Sequence, residues 1–394
     1  MNVRHILSTL AGEVRQYKLP AVLTPVFVVL EVLMEVLIPF VIADLIDKGV
    51  EMGNYAVVAE DGVILIILAL LALLFGIIAG KTSADASAGF AKNLRRAVFT
   101  NVQKFSFANI DKYSPPSLIT RMTTDITNIQ NSFMMMIRVA IRSPVMFLAS
   151  FIMVLIIKPE MALIFAAVVP ILGIGVGFLT VKTFPIFERV FKKYDSLNAV
   201  VRENIRGIRV VKSFVRESFE KKKFKTASAD IYTEFVTAEK LMALMSPLMQ
   251  FCVYLCIIMI SLVGGQMIVF GDFTKGELIS VISYTMQILM SFMMVAMVIV
   301  MITMARASAI RITEVLDEMP TVTNPENPVT EVADGSVSFE NVSFSYTPNE
   351  KIIKNLSFDV KKGECVGIIG TNGSGKSTIL KIITGVLNPT AGDV

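Results

Sequence analysis

Tryptophan is absent from the 394 residues, histidine occurs once, as His5, and cysteine three times. With a single imidazole, Ser-His-Asp catalysis, histidine-rich metal sites and zinc-protease helices have no residues to be built from. Three cysteines in a chain of this length exclude a disulfide scaffold. Charge is scarce as well. Only 18% of residues are Asp, Glu, Lys or Arg, against about a quarter in an ordinary soluble domain. The net charge of +4 is too small for a nucleic-acid footprint, so no nucleic-acid partner is expected. The chain is rich in apolar residues instead: 54%, including 26 Phe and 23 Met, with a mean hydropathy of +0.66. That much apolar surface excludes a disordered chain and points to a protein embedded in a lipid bilayer.

Charge-free apolar runs recur at Gly62 to Gly80 (19 residues), Met161 to Val181 (21), Leu241 to Gly271 (31) and Leu278 to Ala305 (28), against roughly 20 needed to cross the hydrocarbon. Leu19 to Leu45 is a further span interrupted by Glu31, Glu35 and Asp44, and Ser143 to Ile157 a shorter one preceded by Arg138 and Arg142. No cleavable leader is read in the opening segment, and the N-terminus is expected to be retained. Thirteen Lys or Arg lie between Lys182 and Lys225, and Lys92, Arg95, Arg96, Lys104, Lys112 and Arg121 follow the second run; the positive-inside rule puts both connections in the cytosol. Asp47 to Asp61, Lys158 to Glu160 and Asp272 to Glu277 carry three basic residues together and read as external. Six spans with both termini cytosolic satisfy this pattern; five would leave the phosphate-binding motif described below outside the cell. The two basic connections are too long to be loops and read as helices running on roughly 40 Å beyond the bilayer. Their turns are expected near Asn109 to Pro116 and Phe214 to Phe219.

Composition changes after Met319. Pro320, Thr321, Thr323, Asn324, Pro325, Glu326, Asn327 and Pro328 form a polar, proline-broken linker. The organisation predicted is a six-span membrane domain over 1–319, a linker over 320–335 and the start of an α/β domain over 336–394. Val337, Phe339, Val342 and Phe344 read as a strand, Leu356, Phe358 and Val360 as a second, and Cys365 to Ile369 as a compact buried strand. Next comes Gly370-Thr371-Asn372-Gly373-Ser374-Gly375-Lys376-Ser377-Thr378, which satisfies G-x-x-x-x-G-K-[ST] and opens a helical pattern through Leu387. A glycine-rich turn lets backbone N–H groups converge on phosphate, Lys376 adds a charge for the terminal phosphates, and Ser377 offers a hydroxyl to Mg. ATP and Mg are the cofactors expected.

Six spans with long cytosolic extensions, a linker, a strand and this loop together resemble the half-transporter of ATP-binding-cassette exporters, of the bacterial multidrug type that often works as a heterodimer. Ser117 to Asp125 resembles the segment after that family's first coupling helix, and Glu203 to Phe214 the approach to the second. The resemblance implies a mainly α membrane protein: a six-helix exporter-type transmembrane domain with cytosolic coupling helices, then the N-terminal part of an α/β P-loop nucleotide-binding domain. It implies that Tyr346 stacks on adenine, that Arg306 to Leu316 leads toward the nucleotide domain, and that a second half-transporter completes two ATP sites. The family's glutamine loop, signature, Asp-Glu strand and switch histidine have no counterpart after Ser377, so the chain reads as truncated within its nucleotide domain and as binding ATP without hydrolysing it. No catalytic residue is assigned. Leu262-Val263-Gly264-Gly265-Gln266 imitates the signature but closes an apolar span, and Asp317-Glu318 belongs to a helix end. The expected setting is the bacterial cytoplasmic membrane and the expected cargo a small hydrophobic or amphipathic molecule. A lipid or peptide exporter, a non-catalytic partner subunit and a membrane-anchored P-loop kinase are the rivals.

Glu31 and Glu35 share a face of the first span at i and i+4, and ionisable groups at such depth face the bundle interior or a wet cavity. Depth counting pairs Arg138 or Arg142 with Glu31, leaving Glu35 for water or a cationic substrate; a purely structural ion pair is the plainer alternative. Met286, Met290, Met293, Met297, Met301 and Met304 form a stripe on the last span. It suits either an adaptable cavity wall, with Met290 and Met297 as candidates, or ordinary packing. Cys252 and Cys256 read as apolar packing residues and Cys365 as a strand filler.

Overall fold

In a computed structural model of the chain, residues 3–321, 334–347 and 350–394 are described. The proline-broken linker from Thr323 to Pro328 lies outside them, as does the Met304 side chain. The elements run α1 (Val3–Gly12), α2 (Lys18–Asp44), α3 (Tyr55–Val102), α4 (Phe107–Tyr113), α5 (Pro115–Thr120), α6 (Ile126–Ile157), α7 (Pro159–Arg206), α8 (Ile208–Ser213), α9 (Glu217–Ala243), α10 (Met245–Phe270), α11 (Lys275–Asp317), β1 (Val337–Thr347), β2 (Glu350–Val360), α12 (Lys376–Ile383) and β3 (Ala391–Asp393). Among the described residues, six helical stretches are long and apolar enough to cross a membrane: Arg15–Val50, Tyr55–Val102, Pro115–Ile157, Pro159–Arg206, Glu217–Phe270 and Lys275–Asp317. The weak third span predicted from Ser143 to Ile157 is thereby a full one, because Pro144 sits inside α6 without ending it. On α3 the outward residues Val63, Ile66, Leu70, Leu73 and Ile77 follow three- and four-residue steps and are each more than half exposed. An apolar stripe turned outward matches a lipid surface.

The chain divides into two compact units. One comprises Leu19–Ala84 and Met134–Val300. Its core gathers Val32, Phe165, Leu172, Cys252, Ile260, Tyr284 and Ile288, so Cys252 and Cys256 are buried packing residues as expected. Several polar groups inside it are paired. Tyr284 Oη donates to the Val36 carbonyl at 2.7 Å, Ser280 Oγ donates to the Pro39 carbonyl, and Ser150 Oγ meets Gln287 Oε1 at 2.8 Å. Gly276 lies so close to the backbone of Ala43 that any Cβ would collide, and its N–H donates to Asp47 Oδ1 at 2.8 Å. The reversal between α7 and α9 is made by Gly207, the short α8 and Phe214 to Arg216; it comes slightly earlier than predicted, since α9 has already resumed at Glu217. Arg189 to Glu234 (3.2 Å) and Lys223 to Glu203 (2.7 Å) tie α7 to α9. Leu262 to Gln266 falls inside α10, with Gly264 packed on Leu278 and Phe273, as a helix-packing segment should.

The other unit comprises Met1–Lys18, Asp85–Phe133 and Met301–Val394. Here Ile6 and Leu10 of α1 pack with Phe90, Leu94, Ile126, Ile312 and Val315. The predicted first turn falls at Ser114, whose φ of 59° reverses the chain before Pro115 and Pro116 start α5. Ser106 caps α4 in a reciprocal box with Asn109. Asn109 also holds the end of α11: its Nδ2 donates to Glu318 Oε1 at 2.9 Å and to the Met319 carbonyl at 3.0 Å. Lys112 Nζ (2.7 Å) and Tyr113 Oη (2.9 Å) reach Glu318 Oε2. Asp317 ends α11, as the sequence implies, and meets His5 Nε2 at 2.7 Å. Burial and the neighbouring Glu318 push the Tyr113 phenol up to about 12, while the Lys112 ammonium and the Tyr113 hydroxyl hold the Glu318 carboxyl below its usual range. Further along, Arg311 forks onto Asp125, with Nε to Oδ2 at 2.7 Å, and Ser308 Oγ donates to Asp125 Oδ1 at 2.9 Å. Arg121 donates to Glu314 at 3.1 Å and lies over the Tyr113 ring at 4.8 Å.

The small sheet has the order β2-β1-β3, antiparallel throughout, with Phe339 opposite Phe358 and their rings stacked at 4.6 Å. Helix α12 covers it through Ile382. One expectation fails: Cys365 to Ile369 forms no strand and is exposed, Ile369 almost completely. A buried strand needs paired neighbours and cover on both faces, and among the described residues none takes those places. Helix α12 also stops at Ile383 rather than Leu387, because Gly385 (φ 68°) takes the left-handed C′ position and the Val386 N–H returns to the Lys381 carbonyl at 2.9 Å.

Three outcomes follow from these ion pairs, two at the α4–α11 joint and one at the exposed α7–α9 contact. Asp125 is 1% exposed, so Arg311→Ala strands a buried carboxylate, costs about 3 kcal/mol and lowers the apparent melting temperature in detergent. Lys193→Ala, which removes an exposed partner of Glu234, costs less than about 1 kcal/mol. Because the Glu318 carboxyl is depressed, its contribution is present at neutral pH and lost as pH falls through and below the ordinary carboxylate range. Hydrogen exchange in 107–113, corrected for intrinsic rate, therefore accelerates at pH 3.5 relative to pH 6.

Candidate phosphate loop and intramembrane charge cluster

The loop before α12 is shaped by glycine. Gly373 and Gly375 have φ of 84° and 90°, where a side chain is strained, and a Cβ on Gly370 would sit 2.6 Å from Ser374 Oγ. The turn closes with the Ser374 N–H on the Thr371 carbonyl at 3.2 Å. Gly375 packs against Ile352 and Ile353 of β2, which seats the loop beside the β1–β2 hairpin. The first N–H groups of α12, at Lys376 and Ser377, have no carbonyl one turn earlier within the helix and stay available to an anion. Lys376 Nζ folds across the loop to the carbonyls of Gly370 (2.8 Å) and Thr371 (2.7 Å). That curl holds the ammonium at the loop, where two carbonyls take the place that phosphate oxygens would have. Asn372 and Ser377 are exposed and Thr378 is buried. Tyr346 is half exposed on β1, edge-on to Phe344 at 4.9 Å, between the register pairs that lead to the hairpin turn. The loop, Ser377 and Tyr346 thus belong to one end of one small domain.

The second constellation lies within the spans. Arg142 joins both acidic residues: its Nη1 donates to Glu31 Oε1, and its Nη2 donates to Glu35 Oε1 and Oε2 at 2.8 and 2.7 Å. Arg142 is therefore the arginine that meets Glu31, and the expectation that Glu35 is left unengaged is corrected. A guanidinium is wide enough to bridge carboxylates one helical turn apart. Arg138 has no ion-pair partner among the described residues; its Nη1 lies near Gly80. Met290 and Met297, with Met286 and Met293, are exposed along α11 of this chain. Sequence reasoning missed the Arg121–Glu314 and Asp125–Arg311 pairs. Their signal is the four-residue spacing of Arg121 and Asp125 and the three-residue spacing of Arg311 and Glu314, which align two helical faces.

Residues 22–308 match the ABC transporter transmembrane region family. The chain belongs to the ABC transporter family. Residues 353–394 match a second family model, ABC transporter. Relatives of this chain include an uncharacterized ABC transporter ATP-binding protein, YfiB, of Bacillus subtilis, 29% identical over 96% of this chain and 66% of its own length. A fatty acid ABC transporter ATP-binding/permease protein of Mycobacterium tuberculosis is 29% identical over 74% of this chain and 46% of its own length. The chain thus spans about two thirds, or less, of the curated relatives it matches.

Removing Arg142 leaves two carboxylates facing each other in an apolar setting. Arg142→Ala is expected to destabilise by about 3–5 kcal/mol and to lower the yield of folded protein from membranes, while the Arg142→Ala/Glu35→Gln pair recovers part of the loss.

Proposed function

We propose that this half-transporter binds ATP with Mg through Gly370 to Thr378 and, paired with a second half, drives small hydrophobic or amphipathic molecules out across the bacterial cytoplasmic membrane. The observation that carries the reading is one chain in which six spans lead into a curled glycine loop with a lysine at its centre. The organisation is a membrane domain over 1–319, a linker over 320–335 and the start of the nucleotide domain over 336–394, with both termini cytosolic. Lys376 would draw the terminal phosphates, the N–H groups of the loop and of α12 would cradle them, and Tyr346 would cover the base. Ser377 would hold Mg, which neutralises phosphate charge. Residues 1–394 offer no candidate for the carboxylate that orients a hydrolytic water, so binding rather than turnover is assigned to them. The docked α4 and α8, each at a helix reversal, would transmit movement of nucleotide domains to the spans. A lipid exporter is the second reading, supported by the fatty acid transporter among the relatives.

The chain in lipid nanodiscs is expected to bind a fluorescent ATP analogue, with affinity at least tenfold lower in Lys376→Ala, and to release no phosphate. Analogue binding untouched by Lys376→Ala, or phosphate release lost with that substitution, would overturn this assignment.

A further inference from the structure

Within hydrogen-bond reach, the Glu31–Arg142–Glu35 cluster sets two carboxylates against one guanidinium; Arg138, a turn away beside Gly80, pairs with neither among the described residues. Two carboxylates share one guanidinium, and the shortage is localised: Glu31 is 8% exposed and its Oε2 is buried without a hydrogen-bond partner. The site is shaped to keep that carboxylate, since a Cβ on Gly76 would come within 3.1 Å of Glu31 Oε1. Its other side is open, with the Glu35 and Arg142 side chains 27% and 33% exposed. A carboxylate oxygen without a donor, away from water, is costly. Arg142 does not relieve it while one of its two terminal nitrogens is committed to Glu35.

We propose that the cluster is a binding site for the protonated amine of an amphipathic cargo, working by partner exchange. The ammonium enters at the open side and takes Glu35. Arg142 Nη2, released from Glu35, closes with Nη1 as a fork on Glu31, so that Oε2 gains the donor it lacks. Before exchange the three side chains carry one excess negative charge; afterwards guanidinium and Glu31, ammonium and Glu35, form two neutral pairs. No bond is made or broken. An ammonium with N–H groups fits better than a quaternary cation, because the donors Glu35 loses must be replaced. A carboxylate ligand fits worst, since it would add to the excess. The apolar tail would lie among the surrounding aliphatic side chains. This inference names the cargo class for the export reading above and rests on it, but its test needs no nucleotide.

The test is saturable binding of radiolabelled 4-phenylbutylamine to the chain in phosphatidylcholine nanodiscs, without ATP. Competition by the N,N,N-trimethyl analogue is expected to be at least tenfold weaker than by unlabelled amine, and 4-phenylbutyrate is expected not to compete. Glu35→Gln should weaken binding at least tenfold. Glu31→Gln, which leaves Arg142 and Glu35 as a neutral pair, should weaken it comparably, and monodisperse elution with unchanged helical circular dichroism shows that each variant is folded. Lys376→Ala should bind the amine like the parent, so loss of the nucleotide reading and loss of this one are told apart. No saturable binding, equal competition by the quaternary or carboxylate analogue, or unchanged affinity in folded Glu31→Gln would each overturn the proposal.

Discussion

Backbone hydrogen bonding without water is the constraint on which the membrane part of this molecule depends. Inside hydrocarbon every N–H and C=O has to be satisfied by the chain itself, and helices do this within one segment. That is why the spans are helical, with outward stripes, such as Val63 to Ile77, that are apolar. Where a proline interrupts the pattern, as at Pro39, side chains from α11 close on nearby carbonyls: Tyr284 on Val36 and Ser280 on Pro39. These bonds stitch α11 to α2 beside the proline.

Charge does different work in the two units. In the unit holding the first reversal, Lys112, Arg121 and Arg311 balance Asp125, Glu314 and Glu318 in a neutral lattice around Asn109 and Tyr113, and α4 is held to the end of the helix that leads toward the phosphate loop. In the Glu31–Arg142–Glu35 cluster of the other unit one guanidinium meets two carboxylates, and Glu31 Oε2 has no donor among the described residues. A neutral lattice favours a fixed joint; a deficient one favours a site that changes partners.

Much of this was legible in residue order. Run length and the placement of Lys and Arg gave six spans, Ser114 and the paired prolines marked the first reversal, and the second was placed at Phe214 to Phe219, a few residues late. The phosphate loop was fully specified, since glycine at 373 and 375 and lysine at 376 are what its curl requires. What escaped notice depended on contacts far apart in the chain. Depth alone offered Arg138 and Arg142 equally to Glu31, and only packing shows Arg142 reaching both glutamates. The run from Cys365 to Ile369 has the composition of a buried strand, but a strand is defined by its neighbours, and composition is silent about whether they are present.

The central claim is that a phosphate loop on the inner side of the membrane is continuous with six crossings, and Cys365 reports on it directly. It is exposed five residues before the loop, whereas Cys252 and Cys256 are buried. A membrane-impermeant maleimide applied to sealed vesicles of known orientation distinguishes the alternatives. The account predicts labelling of Cys365 in inside-out vesicles and none in right-side-out vesicles until they are permeabilised; labelling of intact right-side-out vesicles would contradict it.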